Sequence, residues 1–228
     1  MTDVGDGAGG GMARVPAAYW HIHAGAMAGL NHALSNRVMA CEGIAIAARN
    51  GRANWLERMD REQEALSTLL ALYRLLESPV GESHEAIAVS DALNDAIALF
   101  GHYPVLREIR IVRTGAGDAG AVEAPRRGLT QAILVLLREV ARRVDATDPD
   151  AVVTVRVALE GATARIVVAT VGLSDPDTSD DVDDLDAATG VLGLPPGAVV
   201  AARTEPGGFA AELTLPVLGR GRVPGLGA

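Results

Sequence analysis

A helical pattern over residues 16–77, broken once by the turn dipeptide Asn50-Gly51, constrains this chain most strongly. The first segment runs to about Arg49 and the second begins near Asn54. Two long helices joined by a short turn form an antiparallel hairpin. One hairpin leaves much of its apolar surface uncovered, so the pattern predicts a homodimer in which two hairpins form a four-helix bundle.

His32 lies in the first predicted helix, on the face opposite the apolar stripe. The apolar stripe of that helix consists of Met27, Leu30, Leu34, Val38, Cys41 and Ala48. At about 100° per residue, His32 lies roughly 160° around the helix from Leu34. The face of His32 is made mostly of small residues, namely Gly25, Gly29, Asn36, Ala40 and Gly43. Since a glycine inside a helix costs about 1 kcal/mol relative to alanine, this face suggests close approach by another molecule. An ordinary surface histidine is the alternative interpretation.

Composition excludes several classes of function. The chain has 228 residues, of which 49% are hydrophobic and 21% charged, as expected for a globular protein. Its net charge of −9 argues against binding to nucleic acid or to anionic membranes. Cys41 is the single cysteine, so an intrachain disulfide or a multi-cysteine zinc site is impossible. Without a signal peptide or an apolar run of about 20 residues, the expected location is cytoplasmic.

The remainder of the chain has an α+β pattern. Residues 82–217 form the second predicted domain, after a linker over residues 78–82, and residues 1–15 and 218–228 are expected to be flexible. Helices are predicted from the N-cap Ser90 to Phe100 and over Arg126–Val144; strands are predicted over Arg107–Val112, Val152–Leu159, Ala164–Val171, Ala198–Ala202 and Phe209–Leu215. Helices on one side of a mixed sheet form a two-layer sandwich.

Three segments resemble motifs of one family. His32-Ala33-Leu34-Ser35-Asn36-Arg37-Val38 is similar to a phosphoacceptor box, residues 129–139 to a nucleotide-binding helix, and residues 207–216 to a closing strand. In this order they resemble the catalytic core of bacterial sensor histidine kinases, over residues 20–216. The resemblance implies a dimerisation and phosphoacceptor hairpin followed by a GHKL/Bergerat-like α/β sandwich. It also implies that His32 is the residue that carries phosphate.

The nucleotide site departs from the family pattern. Val135 and Glu139 stand where the family has asparagines for nucleotide and magnesium. Thr170 replaces the aspartate that binds the adenine amino group, and Ser174 replaces a glycine. The resemblance therefore implies a degenerate site that does not bind ATP by the usual route.

The region of the phosphate-covering lid departs further. Seven aspartates lie within residues 175–186 and would repel a triphosphate. Pro195 and Pro196 disfavour a helix whose N-terminus binds phosphate. A solvated loop is the preferred interpretation of the acidic run, and a calcium cluster is the alternative.

The leading hypothesis is a histidine phosphotransferase of a two-component phosphorelay. His32 would pass phosphate between receiver-domain aspartates, and the receiver would supply Mg²⁺, so the chain itself needs no cofactor or metal. Asn36 is expected to position water and Arg37 to contact phosphate or the receiver. The small residues expected to bind the partner are Gly29, Ala33, Ala40 and Gly43. Ala33 replaces the family's acidic residue, which assists attack on ATP.

Two alternatives stay open, a divergent sensor histidine kinase or phosphatase, and a non-catalytic dimeric pseudokinase scaffold that binds a signalling partner.

Several other residues have structural interpretations. Trp20, Trp55 and Tyr73 are expected in the bundle core, and His102 at a helix end. His21 and His23 do not share a helix face and make a poor metal pair. The solvated face of the second domain's long helix is expected to carry Arg126, Arg127, Arg138, Arg142 and Arg143.

Overall fold

The hairpin is present with nearly the predicted bounds. A computed structural model describes residues 17–104, 106, 108–115, 119–144, 152–171, 192–205 and 208–218. Helix α1 spans Ala17–Arg49 and helix α2 spans Trp55–Leu75. Gly51 and Asn54 take positive φ angles of 69° and 63°, which turn the chain back within a few residues. The predicted flexible arm, the acidic run and nearly all of the tail lie outside the described residues.

The apolar stripe of α1 is only partly buried within one chain. Leu30 is buried and Leu34 half-buried, whereas Val38 is exposed in the single chain. Trp20 and Trp55 are 58% and 42% exposed. These two are therefore not core residues of a single chain, and their place in the core of the dimeric bundle stays a prediction. Among the hairpin side chains that the structure describes, the large apolar ones that are exposed are Trp20, Val38, Met39, Ile46, Trp55, Leu56 and Leu70.

The second part of the chain is a two-layer α/β sandwich, as predicted. Its elements are β1 (Glu85–Ala88), α3 (Val89–Phe100), β2 (Arg110–Thr114), β3 (Ala121–Ala124), α4 (Arg126–Ala141), β4 (Val152–Glu160), β5 (Thr163–Val171), β6 (Val199–Glu205) and β7 (Gly208–Pro216). The main sheet has the strand order β2-β4-β5-β7-β6, with β2 parallel to β4 and the other pairs antiparallel. Helix α4 packs on this sheet, and α3 lies beside α4.

Several predicted boundaries need correction. Helix α3 begins at Val89 after Ala88, and no side chain caps it, so Ser90 is not its N-cap. The strand predicted over Arg107–Val112 begins at Arg110, because the preceding turn instead buries Leu106 and Ile109 in the core. Helix α4 ends at Ala141 and is followed by a turn. Strand β3 was not predicted; it pairs antiparallel with β1.

The hairpin and the sandwich share one hydrophobic core. Leu30 of α1 and Leu72 of α2 belong to the same buried cluster as Leu93 and Ile133 of the sandwich. The Gln131 side-chain amide, almost fully buried on α4, donates hydrogen bonds of 2.7 and 2.8 Å to the carbonyl oxygens of Leu75 and Glu77. These bonds satisfy carbonyls at the end of α2, where the helix itself supplies no donor. No described helix is long and apolar enough to cross a membrane.

Candidate functional site

His32 lies on the exposed surface of α1, as its helical position predicted. The side-chain nitrogen Nδ2 of Asn36 lies 3.2 Å from Nε2 of His32. The two residues are four apart and therefore neighbours on one face of the helix. The sequence placed Asn36 beside His32, and the hydrogen bond confirms that placement.

The orientation of the Asn36 amide relates this contact to the tautomer of His32. With Nδ2 of Asn36 facing the ring, the amide donates and Nε2 of neutral His32 accepts. The ring proton of neutral His32 is then on Nδ1. Nε2 is consequently the nitrogen of His32 that can act as a nucleophile.

The face of α1 that carries His32 lines an open cleft of about 400 Å³. Among the described lining residues, those with polar side chains are His32, Asn36 and His102. The remaining lining residues are Gly29, Ala33, Gly101 and Pro104. None of these lining residues is acidic, so the described wall of the cleft does not oppose an anionic group by charge repulsion.

His102 comes from the sandwich and was not recognised as a site residue in the sequence. It follows α3, and its backbone N–H donates to the carbonyl of Leu99. Its own carbonyl oxygen packs on Gly29, where a Cβ atom would lie only 1.5 Å from that oxygen. This contact holds the loop of His102 against α1, one helical turn before His32. Burial lowers the pKa of His102, so its ring is neutral near pH 7.

The small residues of α1 serve different purposes. Gly29 is buried against His102 of the same chain, so the close approach that its size permits is intramolecular rather than to a partner. Gly43 is exposed, and a Cβ atom there would meet nothing within 4 Å. Ala33 and Ala40 are half-buried. A partner-binding role for Ala33, Ala40 and Gly43 stays a prediction.

Arg37 forms an ion pair across the hairpin. Its Nη1 atom lies 3.1 Å from Oε2 of Glu62 on α2. Arg37 also lines a second cleft of about 240 Å³, to which Ala33, Thr68 and His102 contribute. The positive charge of Arg37 is thus partly balanced by Glu62, while about half of the side chain stays exposed, at 47%.

The resemblance aligns four residues with a nucleotide site, of which Ser174 lies outside the described residues and the other three are packed within the chain. Val135 is fully buried in the core. The hydroxyl of Thr170 accepts a hydrogen bond of 3.2 Å from the backbone N–H of Phe209, so it ties β5 to β7. A Cβ atom on Gly128, at the start of α4, would lie 2.0 Å from the carbonyl oxygen of Leu192, so the backbone of residue 192 closes over this helix end.

Glu139, the residue in the position of the second asparagine, is held by arginines. Its carboxylate is almost fully buried and receives hydrogen bonds from Arg138 at 2.8 Å and from Arg142 at 2.5 Å. Arg143 also contacts it, at 3.4 Å, and lies over the ring of Phe209, 3.9 Å from its centroid. The prediction that this arginine-rich stretch is simply a solvated face is wrong for Arg138 and Arg143, which are partly buried.

Metal-ligand clusters are absent from the described part of the chain: no three histidine, cysteine, aspartate or glutamate side chains there are grouped to hold an ion. The Nε2 atom of His23 hydrogen-bonds the carbonyl of Leu76, which gives that histidine a structural role between α1 and α2. The alternative calcium cluster of the acidic run falls outside the described residues.

No family model and no curated protein matches the chain. Similar solved structures include histidine kinase AdeS from Acinetobacter baumannii, with 13% identity, a TM-score of 0.45, and coverage of 82% of this chain and 98% of that one. A histidine kinase from Burkholderia phymatum has 13% identity and a TM-score of 0.45, over 90% of this chain and 100% of that one. A bacterial phosphotransferase has 16% identity and a TM-score of 0.43, with coverage of 85% of this chain and 96% of that one.

Proposed function

We propose that this chain is a histidine phosphotransferase that accepts phosphate on Nε2 of His32 from a phosphorylated receiver domain and passes it to a second receiver. The observation that carries the proposal is the pairing of His32 with Asn36, at 3.2 Å, on an exposed face that borders an open cleft. An exposed, unprotonated imidazole nitrogen is what an incoming acyl phosphate requires.

The transfer step balances without a cofactor in this chain. Nε2 of His32 attacks the phosphorus of an aspartyl phosphate, a bond forms between nitrogen and phosphorus, and the bond between phosphorus and the aspartyl oxygen breaks. The aspartate leaves as a carboxylate, and the proton on Nδ1 stays on the ring during attack. The Asn36 amide must first release Nε2, and it can then donate to a phosphoryl oxygen or to water. The receiver supplies Mg²⁺ for the phosphate.

The occupied nucleotide positions favour a relay over a kinase. Val135 offers no polar atom to a metal or phosphate, and Thr170 already bonds the backbone of Phe209. Glu139 neutralises neighbouring arginines, so its carboxylate is engaged rather than available for Mg²⁺. A protein that receives phosphate from an activated aspartate needs none of these groups.

The active form in this proposal is a homodimer. Seven of the described large apolar side chains of the hairpin are exposed in one chain, among them Trp20, Val38 and Trp55. Exposed apolar surface of this extent on two neighbouring helices favours association. A second copy packed hairpin to hairpin would form the four-helix bundle, with His32, Arg37 and Gly43 left for the receiver.

Phosphate transfer from labelled receiver domains tests the proposal. We expect wild-type protein to acquire label from phosphorylated receiver but not from ATP with Mg²⁺. His32→Ala should abolish labelling, while His84→Ala, an exposed histidine outside the cleft, should leave it unchanged.

Other outcomes contradict the proposal and separate the alternatives. Labelling of His32 by ATP would make the chain a divergent kinase. No labelling from either donor, with receiver binding retained in His32→Ala, would make it a non-catalytic scaffold.

A further inference from the structure

His102 and His32 border the same cleft, although one belongs to the sandwich and the other to the hairpin. Three of the described residues that line the cleft have polar side chains, namely His32, Asn36 and His102. His32 and Asn36 come from one face of α1, so His102 is the polar residue that the described part of the second domain contributes. A phosphoryl group on His32 would enter this cleft, where the described wall carries no acidic side chain.

The position of His102 is fixed by its backbone. Gly101 and His102 continue the end of α3 through hydrogen bonds to Ile97 and Leu99. The carbonyl of His102 packs directly on Gly29, where no larger residue fits. Because this contact involves the backbone, it does not engage the imidazole of His102, and His102 lines both clefts together with Ala33.

The chemistry of the cleft matches a phosphoryl group. A neutral imidazole has one N–H donor, and an amide has two, so His102 and Asn36 together can donate to the oxygens of a phosphate on His32. Hydrogen bonds to a charged acceptor are stronger than those between neutral groups, and more so in a partly buried site. His102 is half-buried, which restricts the water that competes for the same oxygens.

We propose that His102 is a phosphate-positioning residue that donates a hydrogen bond from the second domain to the phosphoryl group on His32. This inference rests on the proposed function, because it takes His32 as the phosphate acceptor. It assigns the sandwich a direct role at the acceptor site, although the nucleotide positions of that domain are filled.

Chemical phosphorylation with potassium phosphoramidate tests this role without any receiver. In that reaction Nε2 of His32 attacks phosphorus, the bond between phosphorus and the amide nitrogen of the reagent breaks, and ammonia leaves after taking up a proton. We expect His102→Ala to lower the second-order rate constant for phosphorylation of His32 on the order of tenfold, as loss of a hydrogen bond to a charged group predicts. His102→Gln keeps an N–H donor and should restore part of the rate.

A spectroscopic readout separates positioning from a merely structural effect. The ³¹P resonance of phosphorylated His32 should shift in His102→Ala, and the ring resonances of His102 should move when wild-type protein is phosphorylated. His84→Ala is the control and should change neither. Circular dichroism and the unfolding midpoint of His102→Ala establish that the variant is folded.

An unchanged rate constant and ³¹P shift in a folded His102→Ala protein would overturn the inference. So would an equal loss in His84→Ala. If these results are as expected while receiver domains fail to transfer phosphate, the proposed relay fails and the role of His102 at the acceptor site stands.

Discussion

Gly29 of α1 meets the backbone of His102 so closely that a Cβ atom would lie 1.5 Å from the carbonyl oxygen. The obstructing atom is backbone, two residues after the end of α3, whose inner face is buried, so it cannot move aside as a flexible side chain does. We therefore expect Gly29→Ala to lower the free energy of unfolding by about 1–3 kcal/mol, as overpacking does in other cores. Chemical denaturation measures this difference.

Gly43 offers the matched control on the same helix. A Cβ atom there meets nothing within 4 Å, and the residue lies well inside α1. Gly43→Ala should raise the free energy of unfolding by about 0.5–1 kcal/mol, because alanine loses less backbone entropy in a helix. Equal effects of the two substitutions would show that the contact between residues 29 and 102 is not tight.

The hydrogen bond from Asn36 makes a prediction about the protonation of His32. With the amide present, neutral His32 should carry its proton on Nδ1. In Asn36→Ala the ring loses this bias and the tautomer with a proton on Nε2 should gain population. Ring ¹⁵N chemical shifts measure the two populations. Asn31→Ala removes an exposed amide of the same helix and should leave the shifts of His32 unchanged.

The local parts of the fold were predictable from the sequence. The apolar periodicity and the Asn50-Gly51 turn predicted the hairpin, and the four-residue spacing put Asn36 beside His32; both follow from helix geometry alone. The four-residue strand β3 was missed because Ala121–Ala124 is too short to show alternation.

Contacts between residues that are far apart in the sequence could not be predicted from it. The sequence indicated that Gly29 permits close approach but not that the approaching group is the carbonyl of His102. The arginines around Glu139 occur at helical spacing that is also typical of a solvated face. Their burial depends on the tertiary packing of α4, for example the contact of Arg143 with the ring of Phe209 on β7.

The ion pair between Arg165 and Glu212 links β5 to β7 and gives stability a pH dependence. The hydrogen bond from Arg165 lowers the pKa of the Glu212 carboxyl below its usual range. A depressed folded-state pKa contributes stability that is present above the unfolded value of about 4.3 and is lost as pH falls through the folded value. Glu212→Gln should reduce the free energy of unfolding at pH 7 by about 1 kcal/mol, since both side chains lie near the surface.

The pH profile distinguishes this ion pair from a general effect of the substitution. The difference between wild type and Glu212→Gln should be constant from pH 7 to about 5 and shrink below about pH 4. Glu160 also contacts Arg165 but is more exposed, at 54% of its side chain, so Glu160→Gln should have a smaller effect. A difference for Glu212→Gln that grows as the pH falls would contradict this assignment.

Glu139 should prove to be a structural residue rather than a ligand for magnesium. Its buried carboxylate lies among three arginines, so Glu139→Ala leaves like charges facing one another with no anion between them. We expect a loss of about 3 kcal/mol in the free energy of unfolding, the usual cost of removing one partner of a buried ion pair. Glu123→Ala, at an exposed site on β3, should cost little. Because Glu139 is already neutralised by arginine, millimolar Mg²⁺ should leave the unfolding midpoint of the wild-type protein unchanged. If Mg²⁺ raises this midpoint and Glu139→Gln abolishes the increase, the carboxylate belongs to a metal site instead.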